Sequence, residues 1–174
     1  MHRYIALLRG INMLGKNSLP MAELTAIFES LGYTSVKTYI QSGNVIFESE
    51  KEIDSTDMKA VSDAVNGLKG FRPAVLLIDE EKLRYASDNA PFPTDVGKAL
   101  HVYFLSAEAK YADPEKMNSV KTATEDFRLL GDVFYLYTPD GFGRSKLANI
   151  AEKCLGVSAT ARNWNTVAKL ISMM

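Results

Sequence analysis

Val36-Lys-Thr-Tyr-Ile-Gln-Ser-Gly-Asn-Val-Ile-Phe-Glu48 decides the first half of the chain. Residues 36–40 and 45–48 are rich in β-branched and aromatic side chains, with Gln41-Ser42-Gly43-Asn44 between them. Gly and Asn tolerate positive φ, so the stretch reads as a β-hairpin. Upstream, residues 3–8 form a strand pattern followed by a loop over 9–19. Pro20 suits the first turn of a helix whose apolar stripe is Met21, Leu24, Ile27, Phe28 and Leu31, and Gly32 ends it. Downstream, Asp54 can cap a helix striped by Met58, Val61, Val65 and Leu68 and closed by Gly70. A buried strand over 73–78 follows, and Asp79 starts a short helical turn. The order is β-α-β-β-α-β.

The second half gives the same order. Residues 99–105 read as a strand, and Asp113-Pro114 as the cap and first residue of a helix. Residues 127–130 and 133–137 are strands across the tight Gly131-Asp132 turn. A helix with Leu147, Ile150, Ala151, Cys154 and Leu155 on one face ends at Gly156. A last strand covers 157–162 and a final helix 166–173. The halves share element order rather than residue identity. Two consecutive matches to the split βαβ unit predict an α+β fold of two tandem ferredoxin-like repeats with an appended C-terminal helix. Residues 1–90 and 91–174 are then the repeats, and 86–98, with Pro91, Pro93 and Gly97, the connector.

Composition narrows the function. The 174 residues are 47% hydrophobic, enough for a core without disulfide or metal staples. Twenty basic and 21 acidic residues leave a net charge of −1, so no whole-molecule field draws the chain to nucleic acid or membrane. The one cysteine, Cys154, excludes an intramolecular disulfide and a multi-cysteine metal site; it falls on an apolar stripe and reads as an inert buried thiol. His2 and His101 read as structural, and no metal site is expected. Ser42 lacks the Gly-x-Ser-x-Gly elbow of a hydrolase nucleophile. The apolar run near the N-terminus is too short for a secretion signal or a span, which predicts a cytoplasmic protein without a membrane partner.

The polar loops are the informative part. In a split βαβ unit the exit of the first strand and the central hairpin emerge at one end of the sheet. This pairs Arg9, Asn12 and Lys16 with Asn44. In the second repeat the exits of the third and fourth strands emerge together, pairing Gly143 and Lys146 with Arg162, Asn163 and Asn165. Gly141-Phe-Gly143 precedes a helix, where backbone amides can meet an anion, yet it matches neither a P-loop nor a dinucleotide fingerprint. Read conservatively, it is a turn with Ser145 as helix cap. The long 9–19 loop is evenly balanced between binding loop and solvated loop, and 41–44 reads first as a plain hairpin turn. Trp164 reads as a core aromatic under the last helix, with Asn165 as its cap. Asp79-Glu80-Glu81 reads as a helix start favoured by the dipole. Tyr103, Tyr135 and Tyr137 read as core rather than as an RNA-stacking sheet face.

The strings Arg3-Tyr-Ile-Ala-Leu-Leu-Arg-Gly-Ile-Asn12, Lys16-Asn-Ser-Leu-Pro-Met-Ala-Glu-Leu24, Thr38-Tyr-Ile-Gln-Ser-Gly-Asn-Val45, Ser145-Lys-Leu147 and Thr160-Ala-Arg-Asn-Trp-Asn-Thr-Val167 resemble the bacterial domain-of-unknown-function family 1697. The resemblance implies an α+β fold of ferredoxin-like character and carries over no activity or functional residue.

The functional expectation is a binding module for a small anionic ligand, nucleotide-like or phosphate-bearing. Arg9, Lys16, Lys146 and Arg162 supply charge, Asn12, Asn44, Asn163 and Asn165 hydrogen bonds, and the backbone near Gly143 amides. A single site requires both polar ends to face one cleft. The alternatives are a nucleic-acid-binding protein using the same cations, which the net charge disfavours, and an enzyme acting on a phosphorylated substrate. No cofactor, catalytic residue or oligomeric state is legible.

Overall fold

Strand β1, His2–Arg9, is apolar at every position from Tyr4 to Leu8, all buried. A strand of that kind belongs in the middle of a sheet covered on both faces. The structure, a computed structural model, describes residues 1–174 and places β1 accordingly. The first unit, Met1–Leu83 with Met173–Met174, holds a four-stranded sheet of order β2-β3-β1-β4. Here β2 is Thr34–Tyr39, β3 Asn44–Ser49 and β4 Ala74–Asp79, and all neighbouring strands are antiparallel. Helices α1, Met21–Ser30, and α2, Ser55–Lys69, cover one face, on which Tyr4, Ala6 and Leu8 meet Leu24, Phe28, Met58, Val61 and Val65. Ile5 and Leu7, on the other face, are also fully buried.

Local chemistry sets the helix limits. Asp54 and Asp57 form a reciprocal capping box at the start of α2, and Gly70 closes it in the left-handed conformation. Leu68, expected in the stripe, is exposed: it lies at the stripe's edge in the last turn, three residues past the last buried position, Val65. Leu31 is likewise exposed, because α1 stops at Ser30 and leaves it as the C-cap. The hairpin turn occupies residues 40–43, one position earlier than expected, so Asn44 is the first residue of β3 and is fully buried.

The second unit, Arg84–Ser172, has sheet order β6-β7-β5-β8, again antiparallel throughout. The strands are β5, Leu100–Leu105; β6, Asp126–Leu130; β7, Val133–Tyr137; and β8, Ala159–Asn163. Helices α4, Pro114–Val120, and α5, Lys146–Leu155, pack on the face that carries Tyr103, Leu105, Phe134 and Leu136. Asp113 caps α4, Ser145 caps α5 and Gly156 ends it. Helix α3, Glu80–Asp88, is a full helix where a turn was expected, and Asp79 caps it by accepting from the Lys82 N–H at 2.7 Å. Helix α6, Trp164–Met173, begins earlier than expected because Asn163 caps it. The protein is therefore α+β, with two four-stranded antiparallel sheets and six α-helices. No helix is long and apolar enough to cross a membrane.

Candidate functional site

In the first unit β1 and β2 run the same way, since each is antiparallel to β3. The exit of β1, the 40–43 turn and the entry of β4 therefore share one sheet end. The loop after β1 folds back on itself. The Lys16 N–H donates to Met13 O at 2.8 Å and the Met13 N–H to Lys16 O at 3.2 Å. Leu14 and Gly15 between them have φ of 49° and 76°, the pair of positive values that a two-residue type I′ turn demands. Leu14 is 98% exposed. An exposed leucine thus holds a backbone conformation that favours Asn or Gly.

Asn12 fastens this loop to the hairpin. Its Nδ2 donates to Leu19 O and Gln41 O, both at 2.9 Å, and its Oδ1 accepts from the Leu19 N–H at 2.7 Å. Asn17 Nδ2 donates to Gly10 O at 2.8 Å, and the Leu8 N–H to Gly43 O at 2.9 Å. Asn44 Nδ2 donates to Tyr39 O at 2.9 Å and to Ser42 Oγ at 3.0 Å. Gly43 has φ +83°, and a Cβ there would stand 2.7 Å from Ile11 Cδ1 and 2.8 Å from Leu8 Cβ. The amides of Asn12 and Asn44 therefore bond within the chain and shape the end. Lys16 is exposed and Arg9 half-buried at the same end. No carboxylate occurs over residues 4–22 or 30–47, so these loops are cationic in a chain of net charge −1.

In the second unit the entries of β5 and β6 and the exits of β7 and β8 share one sheet end. A 3-10 turn, Phe142–Arg144, follows β7, with Gly141 before it at φ +118°. Ser145 Oγ accepts from the Ala148 N–H at 3.0 Å, and Gly143, Arg144 and Lys146 are exposed. Arg162 lies on β8, half-buried, and its Nη1 donates to Ala161 O at 3.0 Å. Asn163 Oδ1 accepts from the Thr166 N–H at 3.0 Å, so the cap of α6 is Asn163 and not Asn165. Asn165 lies against Gly97, where any side chain would collide with it. Trp164 is half-buried rather than a core residue, and its backbone N–H donates to Gly97 O at 3.1 Å. Within each unit the candidates cluster at one end: Arg9, Asn12, Lys16 and Asn44 in the first, Gly143, Lys146, Arg162, Asn163 and Asn165 in the second.

The same end of the second sheet carries polar residues that sequence reading set aside. His101 pairs in register with Asn163 and Leu136, and its ring stacks on Phe142 with centroids 3.8 Å apart. Burial pulls its pKa from 6.5 down to about 4, so the ring is neutral. Strand alternation put His101 on one face or the other without saying which; only Phe142, a loop residue, makes its position distinctive.

One polar grouping elsewhere is satisfied within itself. A hollow of about 370 Å³ is lined by Arg3, Ser35, Lys37 and Glu48 among others. In it Ser35 Oγ donates to Glu48 at 2.8 Å, and Arg3 meets Glu48 at 3.2 Å. The Ser35 and Arg3 bonds hold the Glu48 carboxyl below its ordinary range. Cys154 is buried. Tyr103 and Tyr135 are buried too; the Tyr135 hydroxyl donates to Ala86 O at 2.8 Å, and burial pushes its pKa up to about 12.

Fold and loops together define a class: an α+β protein with two four-stranded antiparallel sheets, each with a polar, cation-bearing end. The family model described as "Protein of unknown function (DUF1697)" matches residues 1–135, and the chain belongs to that family. The strings at 145–147 and 160–167 lie beyond the matched span. Among solved structures the chain is similar to the conserved bacterial protein SP0830 from Streptococcus pneumoniae, at 24% identity and a TM-score of 0.71, covering 99% of this chain and 98% of that one. That likeness is one of fold. Among curated proteins no similar sequence is found.

Proposed function

We propose that the protein is a cytoplasmic binding module for small phosphate-bearing anions, nucleotides first among them. Each unit is a ferredoxin-like repeat whose loop-bearing sheet end makes the contacts. Element order β-α-β-β-α-β and a sheet with the first strand inside, next to the third and fourth, support the repeat. In the first unit Lys16 and Arg9 contact the anion, while Asn12 and Asn44 position loop and turn. In the second, Lys146 and Arg162 supply charge, the Gly143 backbone an amide, and Asn163 and Asn165 shape the segment.

One observation carries the reading. The Asn12 side chain ties the β1 exit loop to its own far end and to the hairpin with three hydrogen bonds of 2.7–2.9 Å. A loop held that firmly presents Lys16 with little ordering left to do on binding. A thermal-shift screen of nucleotides and phosphorylated metabolites, repeated on Lys16→Glu and Arg162→Ala, tests it. A ligand that stabilises the wild type and fails on either variant supports the reading and assigns the unit. Salt-sensitive binding of mixed oligonucleotides with no small-ligand response would replace it with a nucleic-acid function.

A further inference from the structure

Buried side-chain polar atoms nearly always find partners. Three in this protein have no hydrogen bond: Glu23 Oε2, His101 Nδ1 and Thr138 Oγ1. Glu23 Oε2 has the Lys69 ammonium at 2.8 Å. The other two lie at the ends of neighbouring strands. His101 pairs with Leu136, and Thr138 follows two residues later, its N–H donating to Ala99 O at 2.7 Å. Leu136 faces α5 with Phe134, so by alternation His101 and Thr138 share that face at the sheet's end. Thr138 is 1% exposed. Phe142 stacks on the imidazole, carried between Gly141 and Gly143, two residues that let the turn change conformation cheaply.

Core positions that need only shape would be filled by apolar side chains, which leave no polar atom stranded. Two stranded atoms on one face of adjoining strands, with the imidazole stacked on Phe142 of a glycine-flanked turn, call for an external partner. The geometry points to a ligand subsite roofed by Phe142, in which His101 Nδ1 and Thr138 Oγ1 hydrogen-bond the hydroxyl of a small hydroxylated anion. A neutral imidazole offers one acceptor nitrogen and a threonine hydroxyl both donates and accepts, so together they match a hydroxyl group. Lys146 and Arg144, exposed at the same turn, meet the anionic end. The ligand class is a polyol phosphate or hydroxy acid. This subsite lies in the second unit and stands whether or not the first unit's loop binds phosphate.

Thr138→Val is the decisive variant, because it keeps shape and removes the hydroxyl. Glycerol 3-phosphate, ribose 5-phosphate and lactate serve as hydroxylated probes, with inorganic phosphate and acetate as controls, in calorimetric titrations of the full chain. We expect at least one hydroxylated probe to bind tenfold or more tighter than its control, and Thr138→Val to erase that difference. His101→Gln, which keeps an acceptor, is expected to retain part of it. Without ligand, Thr138→Val is expected to melt at or above the wild-type temperature, since it discards an unpartnered group. Equal affinity for probes and controls, no binding by any probe, or binding unchanged in Thr138→Val would overturn the subsite. So would a lower melting temperature for ligand-free Thr138→Val, which would mean that a buried water already satisfies both atoms.

Discussion

The two sheet ends solve opposite problems. At the end of the first unit the polar groups of Asn12 and Asn44 are bonded within the chain, and the strain sits in the backbone: Asn12, Leu14, Asn17 and Ile40 all have positive φ. At the end of the second unit positive φ falls on glycine, Gly141, while His101 and Thr138 keep buried polar atoms without partners. Strained backbone with satisfied side chains is what the proposed preformed anion surface would require. Relaxed backbone with unsatisfied side chains is what the proposed second-unit subsite would require. Stored strain and stranded polar groups both cost stability, and each marks the place where the proposed binding is to be tested.

The contrast can be broken first at Gly43. Gly43→Ala adds a Cβ within 2.8 Å of Ile11 and Leu8 on a backbone at φ +83°. Overpacking and left-handed strain together are expected to destabilise the first unit by about 2–4 kcal/mol, read as a lower urea midpoint.

Acid should expose the second unit's weakness. His101 titrates near 4 when folded, against an ordinary 6.5. As pH falls, the unfolded chain takes up the proton first, so stability is intact above about 6.5 and declines down to about 4, where the loss is complete. The full loss is about 3 kcal/mol at most, less where solvent reaches the ring. Denaturation curves across that window should flatten in His101→Leu, and an unchanged acid slope would place His101 in a wetter setting than the one described.

Asn12→Ala removes three hydrogen bonds and leaves Leu19 and Gln41 backbone groups to find water. We expect a loss of about 2 kcal/mol, with faster hydrogen exchange confined to residues 10–19 and 40–43. Exchange spreading through the whole sheet would mean the loop is not a separate element.

The smallest effect has the opposite sign. Leu14→Gly replaces a 98% exposed side chain on a left-handed backbone, so it should raise stability by about 1 kcal/mol. A loss instead would mean that Leu14 makes contacts its exposure conceals.

Sequence carried much of this architecture because the signals were local. Asp54, Asp113 and Ser145 cap helices as their spacing implied, and Gly70 and Gly156 end them. Some failures arose where two residues suited one role, others where the backbone departed from a residue's usual preference. Asn163 and Asn165 both suit a helix cap; β8 running on to Asn163 decides between them. The hairpin turn shifts by one because Ile40, a β-branched residue that normally avoids positive φ, takes φ +50°. That shift moves Asn44 from turn to buried strand. His101 and Thr138 were illegible for a different reason. Their lack of partners is a property of the packed whole, and no spacing announces a missing hydrogen bond.

The claim that the first unit's end is a preformed anion surface is tested most directly by following backbone amide resonances while adenosine diphosphate is added. Shifts concentrated at Gly10 through Asn17 and Ile40 through Asn44, saturable, and lost in Lys16→Glu, are expected. Resonances that stay fixed there, or shifts that survive Lys16→Glu unchanged, would contradict it.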